Sequence, residues 1–545
     1  MSSRYSLLLA LDPEELHAAA KSWRALSRQL EETLAQHRSK VNGPLRQADW
    51  RGTDADAAFA SLDRDEQQYD VVRVEVEAVA LVLDTVADRM SQARTNLGNA
   101  VLFAESNGLQ VSGEGLVAGP VPPAADRHDP DARAAADAVR AVRRAAQDRI
   151  DAAVAAAQEA SDEGRNALGD LRSSVLTRPR AFGAAAESVR DAANAQRALG
   201  LAEPYIPDNG DPGRNAEWWK SLTPERQEDY LTLHPGRIGM LDGLPATVRD
   251  QANRLTLDQQ LDALHAGTPT GSGLTAEEYS VRENALRALS ERLDRADGRD
   301  GSRRLLLLGL DPAKGKGRAV VAVGDPDTAD HTAILVPGTG TTLASMPGQI
   351  ERIGSIQNAA LDRADPGQRV AVVCWLGYDA PEIAPSVATT GRAEGGAEDL
   401  RRFVDGTRVA QGGRHGHLTV VGHSYGSTAV GVAARGGGLR ADDIIAVGSP
   451  GMGSEHARDL NIDPGHVWVE AAGDDPVADY ASGLTLGPSP SLDGFGGTAV
   501  EVDTHGHSGY WDPGSESLRN QARIIVGKRP GTVARIPGPG SAPSH

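Results

Sequence analysis

From about Arg304 onward the chain alternates short apolar, β-branched runs with helical ones, and this alternation limits the possible folds more than any other feature. The runs are Leu305 to Leu308, Ala319 to Val323, Thr332 to Val336, Val370 to Trp375, Leu418 to Val421, Ile444 to Val447, Val467 to Glu470 and Ala499 to Val502. Strands that read as continuously apolar and are separated by helices must be covered on both faces. That predicts an α/β domain with a mainly parallel sheet. In such sheets chemistry gathers outside the carboxyl ends of the strands.

One of these strands runs straight into a glycine-flanked serine. His417 to Val421 leads into Gly422-His423-Ser424-Tyr425-Gly426, and the small residues Ser427, Thr428, Ala429 and Gly431 follow as a helix begins. A hydroxyl perched on a strained strand-to-helix turn needs glycine on both sides so that neighbouring backbone can approach. The bare pattern arises by chance in a chain with 61 glycines. Its setting is what selects Ser424 as a nucleophile over a simple glycine-rich turn.

A serine hydroxyl is a poor nucleophile until a base takes its proton, and the base needs a carboxylate to orient it. On a nucleophile elbow both partners come later in the chain, acid before histidine. After the strand ending at Glu470 comes Gly473-Asp474-Asp475-Pro476-Val477, and after the run ending at Val502 comes Asp503-Thr504-His505-Gly506-His507-Ser508-Gly509-Tyr510. Asp475 is favoured because the following proline fixes its backbone as extended, with Asp474 as the alternative. His507 is favoured over His505 because it lies nearer the turn into a closing helix that Asp512-Pro513 can cap. His423 is expected to pack beneath the turn. Acyl transfer also needs donors for an oxyanion. The amide of Tyr425 is one; the other is expected from the loop Pro337-Gly338-Thr339-Gly340-Thr341-Thr342, at Thr339 with Gly340 close behind.

This chemistry calls for no cofactor and no metal. Lys314 to Gly317 lacks the pattern of a phosphate-binding loop, no His-Glu-x-x-His helix is present, and Cys374, the sole cysteine, excludes an internal disulfide and a cysteine zinc cluster. Cys374 reads as a core residue.

The N-terminal third is helical in pattern. Asp12, Pro13 and Glu15 form a helix start, and Leu16, Ala19, Trp23, Leu26, Leu30, Leu34 and Val41 follow on one stripe, with Gly43-Pro44 expected to end the helix. A second periodic run from Phe59 to Val101 predicts an antiparallel hairpin. Gly108 to Pro123 reads as a linker. Asp129-Pro130 opens an Ala-rich helical segment, and a turn-rich break at Pro204 to Gly213 precedes the next domain.

The formal charge of −19 argues against nucleic acid as a partner, and no apolar run is long enough to cross a membrane. No cleavable signal is legible at the N-terminus, so a cytoplasmic protein is expected, and any export would use a signal-peptide-independent route.

Two resemblances sharpen this reading. Trp50-Arg51-Gly52, placed between two long helices about fifty residues into a unit of about one hundred, resembles the WXG helical hairpins of type VII secretion substrates. The resemblance implies a helical partner protein bound through residues 1–105. The companion Tyr-x-x-x-Asp/Glu signal is missing just past the hairpin and occurs only at Tyr279 to Glu283 and Tyr378 to Glu382.

From Asn215 to about Gly527 the chain resembles an α/β-hydrolase family of GC-rich bacteria. The strings that carry this are Trp218-Trp219-Lys220-Ser221-Leu222, Leu241 to Ala246, Val336 to Thr339, Trp375 to Pro381, the Ser424 turn, Asp475-Pro476-Val477 and His507 to Tyr510. It implies Ser424, Asp475 and His507 as a triad, and a helical segment Glu217 to Leu264 packed near the active site. The expected organisation is a hairpin over 1–105, a linker over 106–128, an Ala-rich helical segment over 129–203, an α/β-hydrolase domain over 214–528 and a disordered tail over 529–545. The expected function is a serine hydrolase that cleaves a small-molecule or lipid ester of cell-envelope type. The alternative is a secretion-associated effector whose hydrolase fold is cargo or a binding domain.

Overall fold

The structure is a computed structural model that describes residues 3–48, 50–119, 130–175, 184–199, 205–266, 274–296, 301–382, 387, 389–480 and 486–533. Two compact units divide the chain, one comprising residues 1–33 and 67–204, the other residues 34–66 and 205–545.

The first unit is helical. It contains α1 (Arg4–Ala10), most of α2 (Glu14–His37), the greater part of α4 (Thr53–Ser106), α5 (Pro130–Val175) and α6 (Ala184–Ala198); α3 (Gly43–Gln47) belongs to the second unit. Asp12 caps α2 through the amide of Glu14 at 3.1 Å. Tyr5, Leu8, Leu97, Ile150 and Ala153 form one core, in which the small residues of α5 let helices approach closely. α2 runs antiparallel to α4, but the apolar stripe the spacing suggests is covered only in part, with Leu34 buried and Leu16, Ala19 and Leu30 half-buried. Its buried face carries Arg24 and Ser27, with Arg24 bonded to Glu77 at 3.2 Å and to Asp84. Trp23 and Leu26 are 39% and 40% exposed. Two carboxylates on α4 hold the guanidinium inward, which turns its hydrophobic neighbours out.

Within the stretch read as a linker, β1 (Gln110–Val111) pairs antiparallel with β2 (Val117–Ala118). Residues 120–129, including the expected cap Asp129, lie outside the described residues.

In the second unit Gly43-Pro44 does not end the helix. The π-helical turn Arg38–Asn42 continues from α2 into α3, with the Gly43 amide bonded to the Arg38 carbonyl. A π turn shifts the hydrogen-bond register, which accommodates a proline that has no amide to give. Trp50 and Gly52 follow in the turn before α4, where the Trp50 ring meets Phe59 edge-on at 5.8 Å.

The rest of this unit is an eight-stranded sheet. Its strands are β3 (Leu305–Asp311), β4 (Arg318–Val323), β5 (His331–Val336), β6 (Val370–Leu376), β7 (His417–His423), β8 (Asp443–Val447), β9 (Val467–Glu470) and β10 (Thr498–Ala499), in the spatial order β10-β9-β8-β7-β5-β6-β4-β3. Every neighbouring pair from β10 to β6 is parallel, and β4 runs antiparallel to both its neighbours. Alternate residues feed two cores, as a period of two requires. Leu335, Val372, Cys374 and Val421 face α11 (Ala276–Asp294), α12 (Met346–Leu361) and α16 (Glu516–Ile525), while Ile334, Val373, Trp375 and Val420 face α13 (Gly391–Ala410) and α14 (Tyr425–Arg435). Thr532 bridges Val500, and residues 534–545 of the expected tail lie outside the described residues.

The segment Glu217 to Leu264 corrects one expectation. Its helices α7 (Pro212–Ser221), α8 (Pro224–Leu233), α9 (Pro235–Ile238) and α10 (Ala246–Ala266) belong to the sheet domain, but α10 lies along β3 at the edge opposite β10, four strands from the β7 turn. The reason is the open edge of the sheet, whose backbone groups need partners. Asp250 accepts from the Leu307 amide at 2.7 Å, Asn253 donates to the Leu307 carbonyl at 3.0 Å, and Arg254 donates to that of Leu305 at 3.1 Å.

Candidate active site

Ser424 sits between β7 and α14 with φ 54° and ψ −132°, one of only two non-glycine residues with positive φ among the described residues. A serine adopts that conformation only where its surroundings impose it. The imposing contacts are on both sides. A Cβ on Gly422 would strike the Ser427 backbone, and one on Gly426 would strike the Val336 carbonyl oxygen. The Ser424 amide donates to the Val447 carbonyl at 2.9 Å, and the Ser427 hydroxyl donates to the Ser424 carbonyl at 2.6 Å.

The loop after β5 presses on this turn. A Cβ on Gly338 would lie 2.6 Å from both the His423 carbonyl oxygen and the Ser424 Cβ, and 3.1 Å from the Tyr425 amide. Tyr378 holds the loop from behind, its hydroxyl donating to the Pro337 carbonyl at 2.7 Å. Of the two amides considered in this loop, that of Gly340 donates to the Pro381 carbonyl at 2.9 Å. The Thr339 amide donates to no backbone carbonyl among the described residues. The Gly340 amide is thus already committed to a backbone partner.

The two Asp-His combinations separate cleanly. Asp474 and His505 face outward, 3.3 Å apart with side chains 55% and 90% exposed. Asp475 is fully buried, and its two oxygens lie 2.9 and 3.0 Å from His507 Nδ1. Tyr510 donates a further 2.6 Å bond to Asp475 Oδ2, and the Val477 amide donates to Oδ1 at 2.9 Å. Burial alone would raise the Asp475 pKa. The bonds from His507, Tyr510 and Val477 outweigh it and hold the value down to about 2, so the carboxylate is charged at neutral pH.

His507 meets the serine turn through His423. The two rings are stacked with centroids 4.8 Å apart, and His423 Nε2 lies 3.1 Å from the His507 carbonyl oxygen. Gly448, which follows β8, makes room for the rest: a Cβ there would lie 2.8 Å from Asp475 Oδ2 and 3.2 Å from His507 Cε1. No hydrogen bond joins Ser424 Oγ to His507; the serine turn and the Asp475–His507 pair meet at the same rim of the sheet, bridged by His423 and by the Val447–Gly448 backbone. Tyr510 and Gly448 were not singled out from the sequence. Tyr510 stands three residues after His507 and Gly448 one residue after a strand, positions that acquire meaning only once the loops are folded together.

An eight-stranded sheet of this order, with a strained serine after its fifth strand in chain order and an Asp-His pair on later loops, defines the α/β-hydrolase fold. Comparison with known proteins agrees. A family profile described as alpha/beta hydrolase matches residues 311–485. An uncharacterized protein of Mycobacterium tuberculosis strain H37Rv is 34% identical over 400 residues, which cover 61% of this chain and 60% of that protein. An uncharacterized protein of Mycobacterium bovis is 32% identical over 225 residues, 40% of this chain and 83% of that protein. The chain thus belongs to the α/β-hydrolase family, and it spans about 60% of the length of the first of these relatives. Among the described residues no helix is long and apolar enough to cross a membrane.

Proposed function

We propose that this domain is a serine hydrolase that cleaves an ester through an acyl-enzyme. Ser424 Oγ attacks the ester carbonyl while its proton passes to Nε2 of His507, whose Nδ1 is engaged by Asp475. The amides of Tyr425 and Thr339 receive the developing oxyanion. Collapse of the tetrahedral species expels the alcohol, which takes the proton from His507. Water, activated by the same imidazole, then releases the acid and regenerates the serine. The observation that carries the reading is the bond from the buried Asp475 to His507, whose ring packs against that of the residue before Ser424. Catalytic hydrogen bonds are often long or unformed until substrate is bound, which accommodates the open Ser424–His507 step. An ester of lipid or cell-envelope origin is the substrate class proposed.

A fluorophosphonate probe should label the wild-type chain and fail to label Ser424→Ala, and p-nitrophenyl ester hydrolysis should be lost with the label. Labelling that survives Ser424→Ala would overturn the assignment.

A second reading concerns the N-terminal helices. Exposed Trp23 and Leu26 on α2 support a docking face for a helical partner, and the Trp50-Arg51-Gly52 turn before α4 supports a WXG-type, signal-peptide-independent export. Appearance of the full chain in the culture medium, abolished by Trp50→Ala, tests it; retention of the wild type inside the cell counts against it.

A further inference from the structure

We propose that Tyr510 is a positioning residue for Asp475, tying the loop that carries the acid to the loop that carries the histidine. This inference rests on the serine-hydrolase reading for its kinetic consequence, but its geometry stands by itself. The Tyr510 hydroxyl donates to Asp475 Oδ2 at 2.6 Å and accepts from the Ala472 amide at 3.0 Å. One oxygen atom therefore joins the end of the β9 loop, the carboxylate and the segment three residues beyond His507. A hydroxyl has a single hydrogen, and the Ala472 amide must occupy a lone pair, so the hydrogen is directed at the carboxylate. Tyr510 is fully buried, and burial, reinforced by Asp475 and Glu470, raises its pKa, so the phenol stays a donor.

A second layer holds Tyr510 in turn. Gln521 donates to the Tyr510 carbonyl at 3.4 Å and to Glu470 Oε2 at 2.8 Å, and it accepts from the Trp511 indole at 2.9 Å. Ser517 donates to the same Glu470 oxygen at 2.6 Å. Helix α16 thereby ties the backbone of Tyr510 to the Glu470 carboxyl at the end of β9. The titratable groups around the pair are His423 against the His507 ring, Glu470 behind Tyr510, Arg352 across Trp511, and the outward Asp474 and His505.

The consequence falls on His507. With Tyr510 donating to it, Asp475 is already partly satisfied and pulls less strongly on a proton at His507. Without that bond, the carboxylate has a larger share of its charge left for the imidazole, which then holds its proton to higher pH.

The test is Tyr510→Phe in the full chain, read by imidazole NMR titration of His507 and by ester hydrolysis against pH. The His507 midpoint should rise by about half to one pH unit, the acid limb of kcat/KM should move with it, and kcat at neutral pH should fall about tenfold with little change in KM. Replacing Tyr510 with 3,5-difluorotyrosine keeps the ring and strengthens the donor, so it should move the midpoint downward, and it serves if the phenylalanine variant does not fold. A His507 midpoint that neither variant moves would overturn the proposal. If the wild type is not labelled at Ser424, the hydrolase reading falls, and the NMR midpoint still decides the role of Tyr510.

Discussion

The imidazoles of His423 and His507 lie face to face, their ring planes 28° from parallel and their centroids 4.8 Å apart. His423 immediately precedes Ser424, and its Nε2 must carry the hydrogen because its partner is the His507 carbonyl oxygen. One side chain thus holds the serine turn and the histidine loop together. Burial, with Arg352 and His507 nearby, pushes the His423 pKa down to about 3, so the ring is neutral at physiological pH. Because the folded-state value is depressed, the associated stability is present above the unfolded value of about 6.5 and is lost as pH falls toward 3.

His423→Phe keeps an aromatic ring, somewhat larger than the imidazole, but removes the donor and the titration. Ester hydrolysis should fall about tenfold, as expected for a lost hydrogen bond at a positioned group. The loss of stability between pH 6.5 and 4 should be shallower than in the wild type, by up to about 1.4 kcal/mol per pH unit. Urea unfolding at a series of pH values measures this; parallel curves for both proteins would contradict it.

Gly338→Ala places a methyl group 2.6 Å from the Ser424 Cβ and the His423 carbonyl oxygen. Neither can retreat without moving the turn, so the loop that offers the Thr339 amide must shift. A rate loss of about 10² to 10³ is expected, the range for loss of one oxyanion donor. Gly348→Ala, ten residues on, meets nothing within 4 Å and should leave the rate unchanged. Stopped-flow labelling by a fluorophosphonate compares them directly.

Glu470 is completely buried, and burial raises its pKa to about 8 despite hydrogen bonds from Ser517 and Gln521. The folded state therefore holds a proton that the unfolded chain releases near pH 4.3, so this contribution is complete below that pH and is lost as pH rises through about 8. Glu470→Gln removes the titration. The variant should match the wild type within about 1 kcal/mol near pH 4, within the spread of a single hydrogen-bond change. It should become the more stable of the two by pH 8 to 9, gaining about 1.4 kcal/mol per pH unit in between. A difference independent of pH, measured by chemical denaturation, would be inconsistent with a buried neutral carboxyl.

Asp250 on α10 takes the Leu307 amide of the edge strand and pairs with Arg254 at 2.8 Å. Truncating it removes the acceptor of a strand amide and the carboxylate partner of a buried guanidinium that still donates to the Leu305 carbonyl. Asp250→Ala should cost about 3 to 5 kcal/mol, the range for breaking a buried pair. The proton-exchange rate of the Leu307 amide should rise accordingly, and an unchanged rate would show that the edge is protected by something other than α10.

Seven of the eight strands were legible in the sequence because their burial leaves local runs of Val, Ile and Leu, and the serine turn because steric crowding demands glycine at fixed offsets; β10, two half-buried residues, shares only Ala499 with the run expected over 499–502. The α2 stripe held for Leu34 but not for Trp23 and Leu26, since spacing reports periodicity but not which side is covered. Arg24, not Trp23 or Leu26, meets α4 because Glu77 and Asp84 stand opposite it. The position of α10 was likewise hidden, because the need it answers belongs to β3, some fifty residues further along the chain.

The sequence by itself determined the layered α/β architecture and the place of Ser424, both consequences of interactions between near neighbours in the chain. Only the tertiary structure decided that Asp475 turns inward to His507 while Asp474 turns out to His505, that the Gly340 amide is already engaged, and that Tyr510 reaches the acid. Adjacent loop residues differ in direction rather than in chemistry, and direction is set by the packing of segments that meet only after the sheet has formed.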